Sequence, residues 1–257
     1  MDMRGPPMKI LVIISDPDLD EKSPCRSIVA QSINTLKNNG HTITVTDLAK
    51  DGWNEVLSVK DFTKVSDPIH INIRLEQQIS PIIPKIKEEQ SKVLDCDFLM
   101  IFGPVSWFGL PSYFYAWWDR VFTHGSMYSP GTMFGKGVFS KKRAIVVATT
   151  TSTTEMFGRE SIFGRYEQVI YPITHGMLHT VGFKVHRSQL LYLKPNQPNS
   201  EIIRDWDGNL NNINQRTYIA FNKPSDYTNY KLTSKDPMND FDKLDRFGDM
   251  AVTENAN

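Results

Sequence analysis

The sequence predicts an α/β protein built on a doubly wound parallel sheet with helices on both faces. Two observations predict it. Short, unbroken apolar runs of strand length recur along the chain, at Lys9-Ile-Leu-Val-Ile-Ile14, Phe98-Leu-Met-Ile-Phe102 and Arg143-Ala-Ile-Val-Val-Ala148, as expected of strands covered on both sides. Segments of helical period separate these runs, and strands that alternate with helices imply a parallel sheet with right-handed crossovers.

The first strand, 9–14, leads into the loop SDPDLDEK. Ser23-Pro24 then starts a helix: serine caps free amides, and proline suits the first helical position because its missing N–H costs nothing there. Apolar residues at Cys25, Ile28, Val29, Ile33 and Leu36 carry the helix, and Gly40 ends it in a left-handed cap. HTITVTDL, 41–48, alternates as a second strand and completes a βαβ unit. Residues 49–80 show no firm period and are expected to be a long excursion with little regular structure. A helix follows over 84–94, then the strand 98–102, a helix over 111–122 rich in aromatics, and the strand 143–148. A fifth strand is expected within 183–193. Residues 1–222 are read as one domain and 223–257 as an irregular polar extension, mobile or draped over a partner. Residues 1–7, before Met8, are read as a dispensable leader.

Lysine plus arginine (29) balance aspartate plus glutamate (29) in the 257 residues. That balance argues against an electrostatic partnership with nucleic acid or an anionic membrane. No apolar stretch reaches the roughly 20 residues of a membrane span or the core of a signal peptide. Two cysteines, Cys25 and Cys96, are too few for a disulfide framework or a metal site. A reducing, cytoplasmic setting is expected, with no metal.

Ligands on such sheets bind beyond the carboxyl ends of the strands. Three loops leave those ends. Residues 15–24 close on a helix N-terminus, where Ser23 and Cys25 offer an anion site, although Asp16, Asp18, Asp20 and Glu21 would repel a phosphate unless they point outward. In 103–110, Pro104, Val105 and Ser106 precede Trp107 and Phe108, a rigid pair suited to support a planar ring, against the plainer reading of core aromatics. Residues 149–157 supply Thr149, Thr150, Thr151 and Ser152, either a polar turn or a set of donors for a cofactor's polar edge.

FGPVSWFGLPSYFYAWWDRVF, Tyr128, FGKGVFSKKRAIVVATT, Met156-Phe157, YPITHGMLH and GFKV together resemble the NAD(P)H:quinone oxidoreductase, or DT-diaphorase, family. KDFTKVSDP and Glu89-Gln90 match as well, and Lys60-Asp61 and Asp67-Pro68 within or beside that match are read as turn and packing features. The resemblance implies a flavodoxin-like fold, a homodimer, FAD at the subunit interface and hydride transfer from NAD(P)H to a quinone. By position, Ser23 and Cys25 would lie at the pyrophosphate; Pro104, Val105, Ser106, Trp107, Phe108 and Phe157 along the flavin ring; Thr149, Thr150, Thr151 and Ser152 at its polar edge. The substrate slot would take Trp107, Phe108, Phe157, Phe163 and His175, covered by the partner subunit's Tyr128. His179 reads as a core histidine.

The departures matter too. The family's phosphate-loop histidine falls near Asp16, and its Thr-Thr-Gly-Gly becomes Thr149-Thr150-Thr151-Ser152. Its catalytic tyrosine and histidine are Phe157 and Phe163, so no catalytic residue is assigned; Arg159 and Arg165 read first as solvated surface arginines, with a replacement charge for the site as the lesser alternative. A slow flavoenzyme is expected. A degenerate binding or regulatory protein and an FMN-dependent reductase of the same fold stand as the alternatives.

Overall fold

The computed structural model describes residues 6–194 and 199–233. Five strands, β1 (Lys9–Ile14), β2 (Thr42–Asp47), β3 (Phe98–Pro104), β4 (Arg143–Thr150) and β5 (Lys184–Val185), form a parallel sheet in the order β2-β1-β3-β4-β5, and β6 (Gln189–Tyr192) pairs with β4 beyond β5. The first strand therefore has its sequence neighbours on opposite sides, as a doubly wound sheet requires.

Alternation along the strands divides the core in two. Leu11, Ile13, Leu99, Ile101 and Val146 face one cluster, filled by α3 (Pro84–Asp95) and α4 (Ser112–Val121) through Ile86, Val93, Phe114 and Trp117. Ile10, Val12, Met100, Phe102 and Val147 face the other, filled by α1 (Pro24–Asn38) and α6 (Ser200–Asn211) through Ile28, Leu36, Trp206 and Leu210. Burying each of these large side chains stabilises the fold by roughly 1.5–3 kcal/mol. In α1 the side chain of Ser23 accepts from the amide of Arg26 at 3.3 Å, and Gly40 takes a φ of +87° just beyond the helix, as the sequence predicts.

The structure corrects the excursion over 49–80. A capped 3-10 turn stands at Val59–Asp61, and α2 (Ile73–Ile79) is an α-helix started by the side chain of Asn72, which accepts from the amide of Leu75. Its apolar residues do not face the core: Leu75 and Ile79 are exposed, so the helix leaves no buried-face period to read. Instead it is tied down by Glu76, shut away from solvent and accepting from the Ser66 amide and the hydroxyls of Ser66 and Ser80. Those bonds, the Ser66 hydroxyl first, hold the carboxyl below its ordinary pKa.

The fifth strand is divided. From Val185, opposite Ala144, to Gln189, opposite Val147, the chain takes four steps against three on β4. The extra residue is a bulge that turns His186 to bridge Tyr218. Between β4 and β5 the chain also forms α5 (Tyr166–Val169) and a π-helical segment, Pro172–His179. The expected C-terminal extension carries a small hairpin, β7 (Tyr227–Thr228) with β8 (Lys231–Leu232). Its remainder, 234–257, lies outside the described residues, as does most of the expected leader. Among the described residues no helix is long and apolar enough to cross a membrane.

Candidate active site

A cleft of about 520 Å³ opens at the carboxyl ends of β1, β3 and β4, lined by all three expected loops, a size suited to a small molecule or cofactor.

The loop after β3 forms one wall. Val105 continues the strand, its amide donating to the Thr149 carbonyl at 2.8 Å; Ser106 and Gly109 then bond each other in both directions, at 3.1 and 2.9 Å. The result is a two-residue hairpin turn with Trp107 and Phe108 at its tip, at φ of +48° and +59°. Turns of this shape favour Asn-Gly, because left-handed backbone costs a bulky residue on the order of 1–3 kcal/mol. Trp107 is nonetheless 97% exposed and Phe108 48%. Neither ring is a core residue, and both line the cleft. Below them a Cβ at Gly109 would displace the Tyr115 hydroxyl.

Thr149, Thr150, Thr151 and Ser152 form the floor. Thr149 is buried, and the amide of Ser152 donates to Oγ1 of Thr150 at 3.1 Å, which bends the chain across the strand end. Phe157 and Phe163 extend the aromatic lining: Phe163 meets Phe108 edge-on at 5.1 Å and Phe157 at 5.4 Å, brought there by a tight loop ending at Gly164 with φ +69°.

The first loop is a ladder of Asx turns. The amides of Asp18, Asp20 and Lys22 donate to the side chains of Asp16, Asp18 and Asp20 at 2.9–3.0 Å. Arg26, buried in the first turn of α1, holds the loop from behind. It donates to the carbonyls of Asp16 and Asp18 and pairs with Asp47 at the end of β2, at 2.5 Å. Burial raises the Asp47 pKa, but the bonds from Arg26 and the Lys50 amide outweigh it and leave the carboxyl below its ordinary range. Burial and Asp16 push the Cys25 thiol up to about 12, so it is a neutral group. Asp20 and Glu21 are exposed, and Glu21 pairs with Lys50. Asp16 and Asp18 instead line the cleft.

The family model for the flavodoxin-like fold matches residues 8–207. The chain is 32% identical to NAD(P)H dehydrogenase (quinone) 1 of Cavia porcellus over 198 residues, covering 74% of this chain and 72% of the relative. The chain belongs to this flavodoxin-like quinone reductase family. That membership places it among the oxidoreductases. It is also 28% identical over 189 residues to ribosyldihydronicotinamide dehydrogenase (quinone) of Homo sapiens, covering 72% of the chain and 81% of the relative. The fold matches that of a quinone reductase described for Klebsiella pneumoniae, with a TM-score of 0.78 at 24% identity over 89% of this chain and 94% of that one.

Within this quinone reductase scaffold the structure sorts the expected site residues. Ser23, Cys25, Pro104, Val105, Trp107, Phe108, the four residues 149–152, Phe157 and Phe163 meet in the cleft. Ser106 does not line it and serves as the base of the turn. Tyr128 packs beside His124 and against the core, and His175 stacks on Tyr171 at 4.8 Å beside Phe221 and His179; neither lines the cleft of its own chain. Arg165 is buried rather than solvated, and neither it nor Arg159 lines the cleft of its own chain, so the alternative of a replacement charge gains no support there. Sequence reasoning missed Leu193, a lining residue, and the Arg26–Asp47 staple. The only signal for the staple was a pair of opposite charges at the starts and ends of neighbouring elements.

For a flavoprotein site the fit is split. The ring end fits: an exposed indole, a cluster of phenyl rings and four hydroxyl-bearing residues line a cleft of suitable size. The α1 end offers helix amides but two aspartates and, among the described residues, no cation.

Proposed function

We propose that the chain is a flavin-dependent NAD(P)H:quinone oxidoreductase that passes a hydride pair of electrons from NAD(P)H, by way of FAD, to a quinone or a similar small electrophile. It works as a cytoplasmic homodimer of two 1–222 domains. The observation that carries this reading is the Trp107-Phe108 tip, held in strained backbone with its indole almost wholly exposed over the cleft.

A bound flavin supplies the two-electron chemistry. The chain supplies the surfaces around it. Trp107 and Phe108 orient a planar ring, and such orientation is worth much of a bimolecular barrier. Residues 149–152 provide donors along its polar edge, where developing negative charge needs them. Phe157 and Phe163 keep water from the opposite side. The partner subunit's Tyr128 covers the substrate slot, to which the family pattern also assigns His175. The family's two proton-handling positions are Phe157 and Phe163 here, both lining the cleft, and general acid–base groups are typically worth ~100 to 10,000-fold, so turnover is slow rather than absent.

Purification without added cofactor tests the reading. The protein should emerge yellow or take up flavin, the flavin released on denaturation should be identified by chromatography, and NADPH should bleach it until a quinone restores the colour. A protein that cannot be loaded with any flavin would sink the proposal. The acidic α1 end favours a second reading, a binding protein of the same fold with weak cofactor affinity, and loading without bleaching would mark it. Release of FMN instead of FAD would mark the FMN-dependent alternative.

A further inference from the structure

The α1 end of the cleft carries charge of the wrong sign for a phosphate. Asp16, 3% exposed, and Asp18 line it beside Ser23 and Cys25, and among the described residues no lysine, arginine or histidine lines it. Lys22, exposed in the same loop, does not line the cleft, and the two other nearby cations are engaged elsewhere. Arg26 is drawn behind the loop to Asp47 and two backbone carbonyls, and Lys50 pairs with Glu21 and Asp47. Nor is Asp16 free to swing out, since it is buried and its Oδ1 accepts from the Asp18 amide at 3.0 Å. The helix N-terminus contributes about half a positive charge, one of its amides is already taken by the Ser23 hydroxyl, and two full carboxylates outweigh it.

We infer that Asp16 and Asp18 make this cleft select against the phosphate-bearing end of a flavin, so that the unphosphorylated ring system binds at least as tightly as its phosphate esters. The inference rests on the flavin role proposed above. Affinity then comes from the aromatic tip and the hydroxyl floor, and the charged end acts only to discriminate.

Quenching of flavin fluorescence measures it. Riboflavin, FMN and FAD are titrated into the unmodified protein at low and high salt, and into Asp18→Asn and Asp16→Asn variants. Riboflavin should bind at least as tightly as FMN. Added salt should tighten FMN several-fold while leaving riboflavin unmoved, because screening weakens repulsion between charges near a surface. Asp18→Asn, at an exposed position whose Oδ1 can still accept from the Asp20 amide, should shift the FMN-to-riboflavin affinity ratio toward FMN by about ten-fold. Where Asp16→Asn fails to fold, the salt series and Asp18→Asn still decide. FMN binding ten-fold or more tighter than riboflavin in the unmodified protein, or weakened by salt, overturns the selectivity alone. Failure of riboflavin, FMN and FAD all to bind overturns the flavin proposal, and this inference with it.

Discussion

Trp107 and Phe108 occupy left-handed backbone that a turn of this kind normally gives to Asn-Gly, and they do so while exposing their rings. The pair bears that cost while Trp107 stays almost wholly exposed and both rings line the cleft. The double substitution Trp107→Asn with Phe108→Gly should relieve strain of about 1–3 kcal/mol and raise the melting temperature, while flavin affinity falls ten-fold or more in a fluorescence titration; unchanged affinity would remove the tip from the site. Phe163 is the complementary case. Its ring lines the cleft against Phe108 and Phe157, so Phe163→His places an imidazole beside the slot. Steady-state kinetics should then show at least a ten-fold gain in kcat, approaching the ~100 to 10,000-fold span of acid–base catalysis, and a folded, flavin-loaded variant with no gain would show that proton handling is not what limits turnover.

The element that shapes the charged end of the cleft is the β1–α1 loop, and its fixed point is the buried Arg26–Asp47 pair. Removing one partner of a buried pair leaves the other uncompensated, and Arg26→Met should cost about 3–5 kcal/mol in denaturant unfolding and loosen the loop to proteolysis. A loss below about 1 kcal/mol would demote the pair to a surface contact. At this scale the sequence was legible for the elements from β1 to β4 that bury one face against the sheet, but not for α6, whose Trp206 and Leu210 do the same. The strand 9–14 and the helix from Ser23-Pro24 to Gly40 were read nearly to the residue, because capping chemistry and apolar period agree there. By contrast, α2 exposes Leu75 and Ile79 and is held by hydrogen bonds to Glu76, and nothing in its apolar spacing announces that. The bulge between β5 and β6 was equally hidden, since a one-residue excess arises from pairing with β4.

Across the whole molecule, distant segments meet behind the cleft wall. Glu167 of α5 packs among Arg187 from the bulge and Arg216 from beyond α6, with Oε1 accepting from the Ser188 amide at 3.0 Å and Oε2 lacking a hydrogen-bond partner. Burial, only partly countered by the two arginines, raises its pKa to about 7 from an ordinary 4.5. The folded state therefore holds this proton where the unfolded chain has lost it, so the group's contribution falls as pH rises from about 4.5 to about 7. His186, buried in the bulge, works the other way: desolvation first, then Arg143, lowers its pKa to about 4 from 6.5, so its contribution is lost as pH falls through that interval. Glu167→Gln, which keeps the bond to Ser188, should raise the melting temperature relative to the parent more at pH 8 than at pH 5; equal shifts at both would mean the carboxyl is not held protonated. The proposed homodimer is tested at the same scale by sedimentation, where a mass of one chain would leave each cleft without the partner subunit's Tyr128.

The order and type of the sheet-covering elements from β1 to β4, and the three loops that line the cleft, followed from the sequence alone, because strand runs, caps and helical period are local and the ends of parallel strands converge by topology; α6, which covers the sheet through Trp206 and Leu210, did not. Only the tertiary structure decided how the side chains in those loops point: that Trp107 and Phe108 stand out into the cleft, that Asp16 and Asp18 face into it while Arg26 turns away, and that Tyr128 and His175 lie outside their own chain's cleft. Side-chain direction at a turn depends on backbone angles and on partners far away in the chain, such as Asp47 for Arg26 and Thr149 for Val105, and neither leaves a periodic trace in the residues themselves.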